Sequence, residues 1–156
     1  MSLFYQIAFA HDSPEPAPLI QQLATEWGPT VTVIRETEHR LVVLQHDEWL
    51  LSLTITTESG HFELSFGEYA YLSDWYIELG KADGLAAMRF YIELVGKLVT
   101  EYTYDFLSIF NGERVVLKRE KDNLCLNTES SVWKKQESLA VLGNHPYSMA
   151  TYPVNY

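Results

Sequence analysis

The stretch from Asp105 to Thr128, DFLSIFNGERVVLKREKDNLCLNT, constrains the fold more than any other part of the chain. Two apolar runs flank Asn111-Gly112, a dipeptide well suited to the two positive φ angles of a type I′ turn. The expected unit is a two-residue hairpin. In it Phe110 faces Glu113, Ile109 faces Arg114, Phe106 faces Leu117 and Asp105 faces Lys118, so an opposite-charge pair lies where the arms open. After the polar bend Glu120-Lys121-Asp122-Asn123, Leu124-Cys125-Leu126 is expected to return as a third antiparallel strand.

Upstream, Leu3 to Ala10 is apolar without alternation and reads as a central strand covered on both faces. Ser13-Pro14-Glu15 then supplies a helix start, Leu19, Ile20, Leu23 and Trp27 a buried stripe, and Gly28-Pro29 a stop. Four strands follow at Thr30–Arg35, Arg40–His46, Trp49–Thr57 and His61–Phe66, most simply a meander. In the last two, apolar and polar residues alternate, which places one face on a core and the other in water. Trp75, Ile77 and Leu79 suggest another short strand. The one long helix is expected from Ala82 to Glu101, with Leu85, Met88, Ile92, Val95, Val99 and Tyr102 as the stripe facing the sheet. Gly96 within it implies a close approach, since an unneeded helical glycine costs about 1 kcal/mol against alanine. One or two short helices ended by Gly143 are expected from Glu129 to Leu142, and the aromatic tail from Pro146 is expected to lie against the body. The pattern is that of one α+β domain over residues 1–156, a mainly antiparallel sheet with one long packing helix and short terminal helices.

Composition narrows the function classes. A chain of 156 residues, 47% hydrophobic and 21% charged, supports a single core. Cys125 is the only cysteine, so no intrachain disulfide forms, and no run approaches the ~20 apolar residues of a membrane helix. With no positively charged leader before the first apolar run, a cytoplasmic protein is expected. The net charge is −10, and residues 36–101 carry most of it, with twelve acids against four bases. Such a surface argues against nucleic acid or an anionic membrane as partner and would steer a basic protein toward it.

No motif names a chemistry. The nucleophile elbow, the P-loop, the dinucleotide-binding glycines, C-x-x-C and H-E-x-x-H are all absent, and no cofactor or metal is implied. His46-Asp47-Glu48 with Glu36, Glu38 and His39 is the best cluster of metal-ligand types, but in a meander the two turns lie at opposite ends of one strand. His11-Asp12 occupies a strand-to-helix turn and reads as capping chemistry. Two alternatives stay open: a small-molecule-binding domain, if segment 69–79 and the long helix enclose a pocket, and a small hydrolase using His11/Asp12 or His46/Asp47.

The order Asp105, LSIFNGERVVLKR from Leu107 to Arg119, LCLN from Leu124 to Asn127, Trp133 and Pro146-Tyr147 resembles the bacterial swarming-inhibition (Sit-type) immunity proteins. The resemblance implies a small antidote that binds a cognate toxin protein and blocks it without catalysis. It brings no binding residues with it. From charge, and because toxins that attack nucleic acid are basic, the expected contact face is Glu58, Glu63, Glu68, Asp74 and Glu78 with the aromatics Tyr69, Tyr71 and Trp75.

Overall fold

The computed structural model describes residues 3–80 and 83–154, and in it the 105–128 unit forms one flank of a nine-stranded sheet. In chain order the strands are β1 (Phe4–Phe9), β2 (Val31–Thr37), β3 (Arg40–Gln45), β4 (Glu48–Thr56), β5 (Gly60–Leu64), β6 (Gly67–Tyr71), β7 (Ser73–Leu79), β8 (Phe106–Phe110), β9 (Arg114–Glu120), β10 (Asn123–Asn127) and β11 (Ser148–Ala150). The large sheet runs β11-β10-β9-β8-β1-β7-β4-β3-β2, and β5 and β6 pair only with each other. Every pairing is antiparallel except that of β11, which lies parallel to β10. The helices are α1 (Pro16–Trp27), α2 (Gly84–Glu101) and α3 (Gln136–Ala140), with a 3-10 turn at Ser131–Lys134 before the last. The chain is thus α+β, as its pattern predicts, and no helix among the described residues is long and apolar enough to cross a membrane.

One face of the sheet packs on α1 and α2. Tyr5, Ile7 and Phe9 of β1, Trp75, Ile77 and Leu79 of β7, and Leu51 and Leu53 of β4 meet Phe90, Tyr91, Leu94, Val95 and Leu98 of α2 and Leu19, Ile20 and Leu23 of α1. Each such side chain, fully removed from water, stabilises the fold by about 1.5–3 kcal/mol. Gly96 is where α2 meets the segment after α3, because a Cβ there would lie 2.7 Å from the Val141 carbonyl. The expected stripe on α2 is only half right. Ile92, Val95 and Val99 are buried, but Leu85 is 80% exposed and Met88 is on the flank, and the sheet-facing positions they were expected to fill belong to Ala87, Phe90, Tyr91 and Leu94. Ala82, the expected first residue of the helix, lies outside the described residues; Asp83 caps α2, accepting a hydrogen bond from the Ala86 amide at 3.1 Å. At α1 the cap position falls on Glu15 rather than Ser13, with no side-chain hydrogen bond.

The meander stops after three strands. β2, β3 and β4 pair in sequence, but β5 leaves the sheet and β7 takes the place beside β4, so the segment around Trp75 is a central strand instead of a marginal one. The inserted β5–β6 hairpin lies across the opposite sheet face, where Phe62, Leu64 and Tyr69 pack on Leu107, Ile109 and Val115. Ala8 of β1, on that same face, is fully buried.

The hairpin at Asn111-Gly112 also differs from expectation. Both residues have positive φ, 51° and 71°, yet the loop includes Glu113, so Phe110 opposes Arg114 and Ile109 opposes Val115. A bulge at Ser108/Ile109 then shifts the register once more, and Lys118 opposes Leu107 while Arg119 opposes Phe106. The Asp105–Lys118 pair does not form: Asp105 accepts from the Lys121 amide at 2.9 Å and Lys118 pairs with Glu120 at 3.1 Å. Asn111 is held elsewhere, its Oδ1 accepting from the Phe4 amide at 3.0 Å. Two-residue turns with both φ angles positive occur instead at Lys121-Asp122 and at His46-Asp47.

Candidate functional site

The β5–β6 hairpin gathers the acidic, tyrosine-rich middle of the sequence into one structure and sorts its side chains onto two faces. Register pairs His61 with Ala70, Phe62 with Tyr69 and Glu63 with Glu68. Strand alternation sends Phe62, Leu64, Tyr69 and Tyr71 inward and His61, Glu63 and Glu68 outward. Inside, the Phe62 and Tyr71 rings are 5.1 Å apart, and Lys118 stands 5.7 Å from the centre of the Tyr69 ring. Burial pushes the Tyr69 phenol above its ordinary range, with the fields of Asp105 and Glu120 adding to it. Outside, Glu63 and Glu68 face each other directly and both are exposed, as is Glu58 in the turn before β5.

Like charges directly opposite on a hairpin are unfavourable. Residues 58–72 contain three glutamates, one histidine, and no lysine or arginine. His61 Nε2 lies 3.7 Å from Glu63. At the tip, Phe66 is 40% exposed, with its ring 5.1 Å from that of Tyr152. The outer face therefore offers carboxylates around an accessible aromatic edge.

The remaining expected contact residues lie elsewhere. Trp75 points to the opposite side of the sheet, is 0% exposed and stacks edge-on against Phe9 at 4.8 Å. It belongs to the core and is not available to a partner. Asp74 and Glu78 project from β7 on the hairpin's side of the sheet, but only Glu78 is partly exposed. Asp74 is 6% exposed; its Oδ2 accepts from Gln6 Nε2 at 3.3 Å, and its Oδ1 has no hydrogen-bond partner among the described residues. Burial raises its pKa to about 6, the Gln6 hydrogen bond opposing the shift. Tyr71, half-buried beneath the hairpin, is pushed up by its own burial and then by the field of Asp74. Phe66 and Tyr152 were not expected here, because an apolar residue in a turn and an aromatic near the chain end carry no local signal of their meeting.

The other candidate clusters do not assemble. His46 and Asp47 are the two central residues of the β3–β4 turn, while Glu36, Glu38 and His39 lie at the far end of β3. His11 is exposed and 3.8 Å from Asp105. No group of three or more metal-ligating side chains converges among the described residues. Segment 69–79 and α2 do not enclose a pocket either, since Tyr69 and Tyr71 lie across the sheet from the helix. A cavity of about 330 Å3 does open beside α2, lined by Tyr5, Met88, Phe110, Arg114 and Val132. The buried Tyr5 hydroxyl there donates, among the described residues, to Met88 sulfur at 3.1 Å. Comparison of the chain with protein-family models, with curated proteins and with solved structures returned no match.

Proposed function

We propose that the chain is a stoichiometric inhibitor, an immunity protein that occupies a basic toxin domain through the outer face of the β5–β6 hairpin. The observation that carries this reading is the Glu63–Glu68 pair, two exposed carboxylates held opposite each other on a hairpin that contributes no lysine or arginine. A basic surface docking there relieves the repulsion, so binding and hairpin stability support each other. Glu58 widens the acidic patch and Phe66 supplies an apolar anchor at its tip. Trp75 and Asp74 contribute by packing, not by contact. The resemblance of the 105–147 region to immunity proteins agrees with this role, in which the sheet is scaffold and the inserted hairpin the contact. No catalytic step and no cofactor is needed.

Coexpression with the gene product encoded beside it is the direct experiment. Copurification at low salt supports the reading, and absence of any complex removes it. Glu63→Lys with Glu68→Lys is expected to slow association at least tenfold while leaving the fold intact. An unchanged rate moves the interface off the hairpin. The cavity beside Tyr5 favours a second reading, a small-molecule-binding domain, because its size matches ordinary ligand pockets and its phenol has only a weak acceptor. A ligand screen by thermal shift, repeated on Tyr5→Phe, separates the two.

A further inference from the structure

Arg119 is a cation inside the protein, 2% exposed. Its Nη1 donates to the carbonyls of Leu98 at 3.1 Å and Tyr102 at 2.6 Å, at the end of α2 where helical donors run out and the helix dipole is negative. Its Nη2 reaches Nε2 of His145 at 2.9 Å. A guanidinium can only donate, so Nε2 must be the bare nitrogen. A carbonyl can only accept, so Nδ1, 2.8 Å from the Pro146 oxygen, must carry the proton. His145 is therefore held as one neutral tautomer, and its bond to Arg119 exists only while it stays neutral.

His145 is also the root of the C-terminal strap. From Ser148 to Ala150 the strap runs parallel to Cys125–Asn127, and it is tied further by Thr128 N to Ala150 O at 2.9 Å and Tyr152 N to Asn127 Oδ1 at 3.2 Å. Ser148 and Met149 are exposed, so the strap buries little apolar surface of its own. Beyond it, the Tyr152 ring joins the cluster beneath β5–β6 and meets Phe66 at the tip.

We propose that the strap is a pH-released latch on the acidic hairpin: protonation of His145 sets an imidazolium against Arg119, frees residues 145–152 and loosens β5–β6. This inference rests on the reading of β5–β6 as the contact face, and it adds that partner binding weakens in acid. The charges around the latch agree. Residues 143–154 contain no acid. The acids whose fields reach Arg119 are Asp122, exposed on its turn, and Asp105, which is engaged by the Lys121 amide and lies near His11. Neither forms an ion pair with His145 among the described residues, so the group the new imidazolium touches is the guanidinium.

Amide hydrogen exchange on the full chain at pH 7.5 and 5.5, corrected for intrinsic rates, reads the latch at Thr128 and Tyr152 and the hairpin across residues 62–69. Loss of one charge-assisted hydrogen bond is expected to speed exchange about tenfold at pH 5.5 in the wild type. His145→Gln, which keeps an acceptor and does not titrate, is expected to stay protected at both pH values, and His145→Lys to be open at both. Equal protection at the two pH values in the wild type, or the same acid response in His145→Gln, overturns the latch. Asp74, whose raised pKa of about 6 falls inside this window, and the other histidines are common to both proteins and cancel in the comparison. An octalysine peptide, followed by fluorescence anisotropy, tests the site itself. Binding that weakens in acid more for wild type than for His145→Gln supports the latch on the contact face. No octalysine binding at either pH, with the exchange switch intact, removes the contact-face reading while leaving the strap's response to pH.

Discussion

Two hairpins of similar length are put to opposite uses in this protein. β8–β9 is continuous with the large sheet, flanked by β1 and β10, and its strands are buried along most of their length. β5–β6 is a sheet of two strands that packs on the fold through the apolar residues it turns inward, and its outer face carries opposed glutamates. A two-stranded ribbon is marginal alone in water. The comparison teaches that the first hairpin gives its stability to the fold, while the second takes its stability from the fold and turns its acidic side chains outward.

Four changes break or sharpen that contrast. The largest effect is expected at the scaffold: Trp75→Ala removes a core ring and should cost about 3–5 kcal/mol, read as a lower denaturation midpoint in urea with unchanged slope. A loss below 1 kcal/mol would mean that β7 is not the central strand described. Asp74→Asn acts where the two regions meet, and its sign is opposite. The folded pKa of about 6 stands above the ordinary aspartate value of 3.8, so the buried carboxylate costs stability once it ionises. That cost is absent below pH 4, grows between pH 4 and 6 and is complete above it, so the asparagine variant is expected to gain up to about 3 kcal/mol at pH 7.5 and nothing at pH 3.5. Equal stability of the two proteins across that range refutes the buried charge. Gly96→Ala returns to the scaffold; its methyl meets the Val141 carbonyl and is expected to cost about 1–2 kcal/mol despite the better helix propensity, measurable as a lower melting temperature. The smallest effect falls on β5–β6. Glu68→Lys turns a repulsive cross-strand pair into an attractive one and should stabilise β5–β6 by about 0.5 kcal/mol, seen as slower amide exchange at Phe62 and Tyr69, while slowing association with a basic partner. Faster exchange in that variant would show that the glutamates do not repel.

Much of the fold was readable residue by residue. The 105–128 unit, the helices α1 and α2, the close approach at Gly96 and the first three strands of the meander follow from turn chemistry and periodicity, which act over a few residues. The β5–β6 hairpin was readable only as composition: the acids were visible, but their sorting into an outer face of Glu58, Glu63 and Glu68 and a buried Asp74 was not. Trp75 illustrates the reason. A tyrosine- and tryptophan-rich run looks the same whether its rings line a surface or a core, and only the neighbours of β7, namely β1 and β4, decide which.

By itself, then, the amino-acid order determined where the chain turns, which segments are helical, and that the middle third is acidic. The tertiary structure decided that β5 leaves the sheet and β7 enters it, that the Asn111-Gly112 loop takes a third residue, and that Arg119 faces the core beside His145. The physical reason is common to all three. Each is a choice between alternatives nearly equal in local energy, and it is settled by burial and hydrogen bonding with segments roughly 20 to 100 residues away, whose presence no short window of sequence can register.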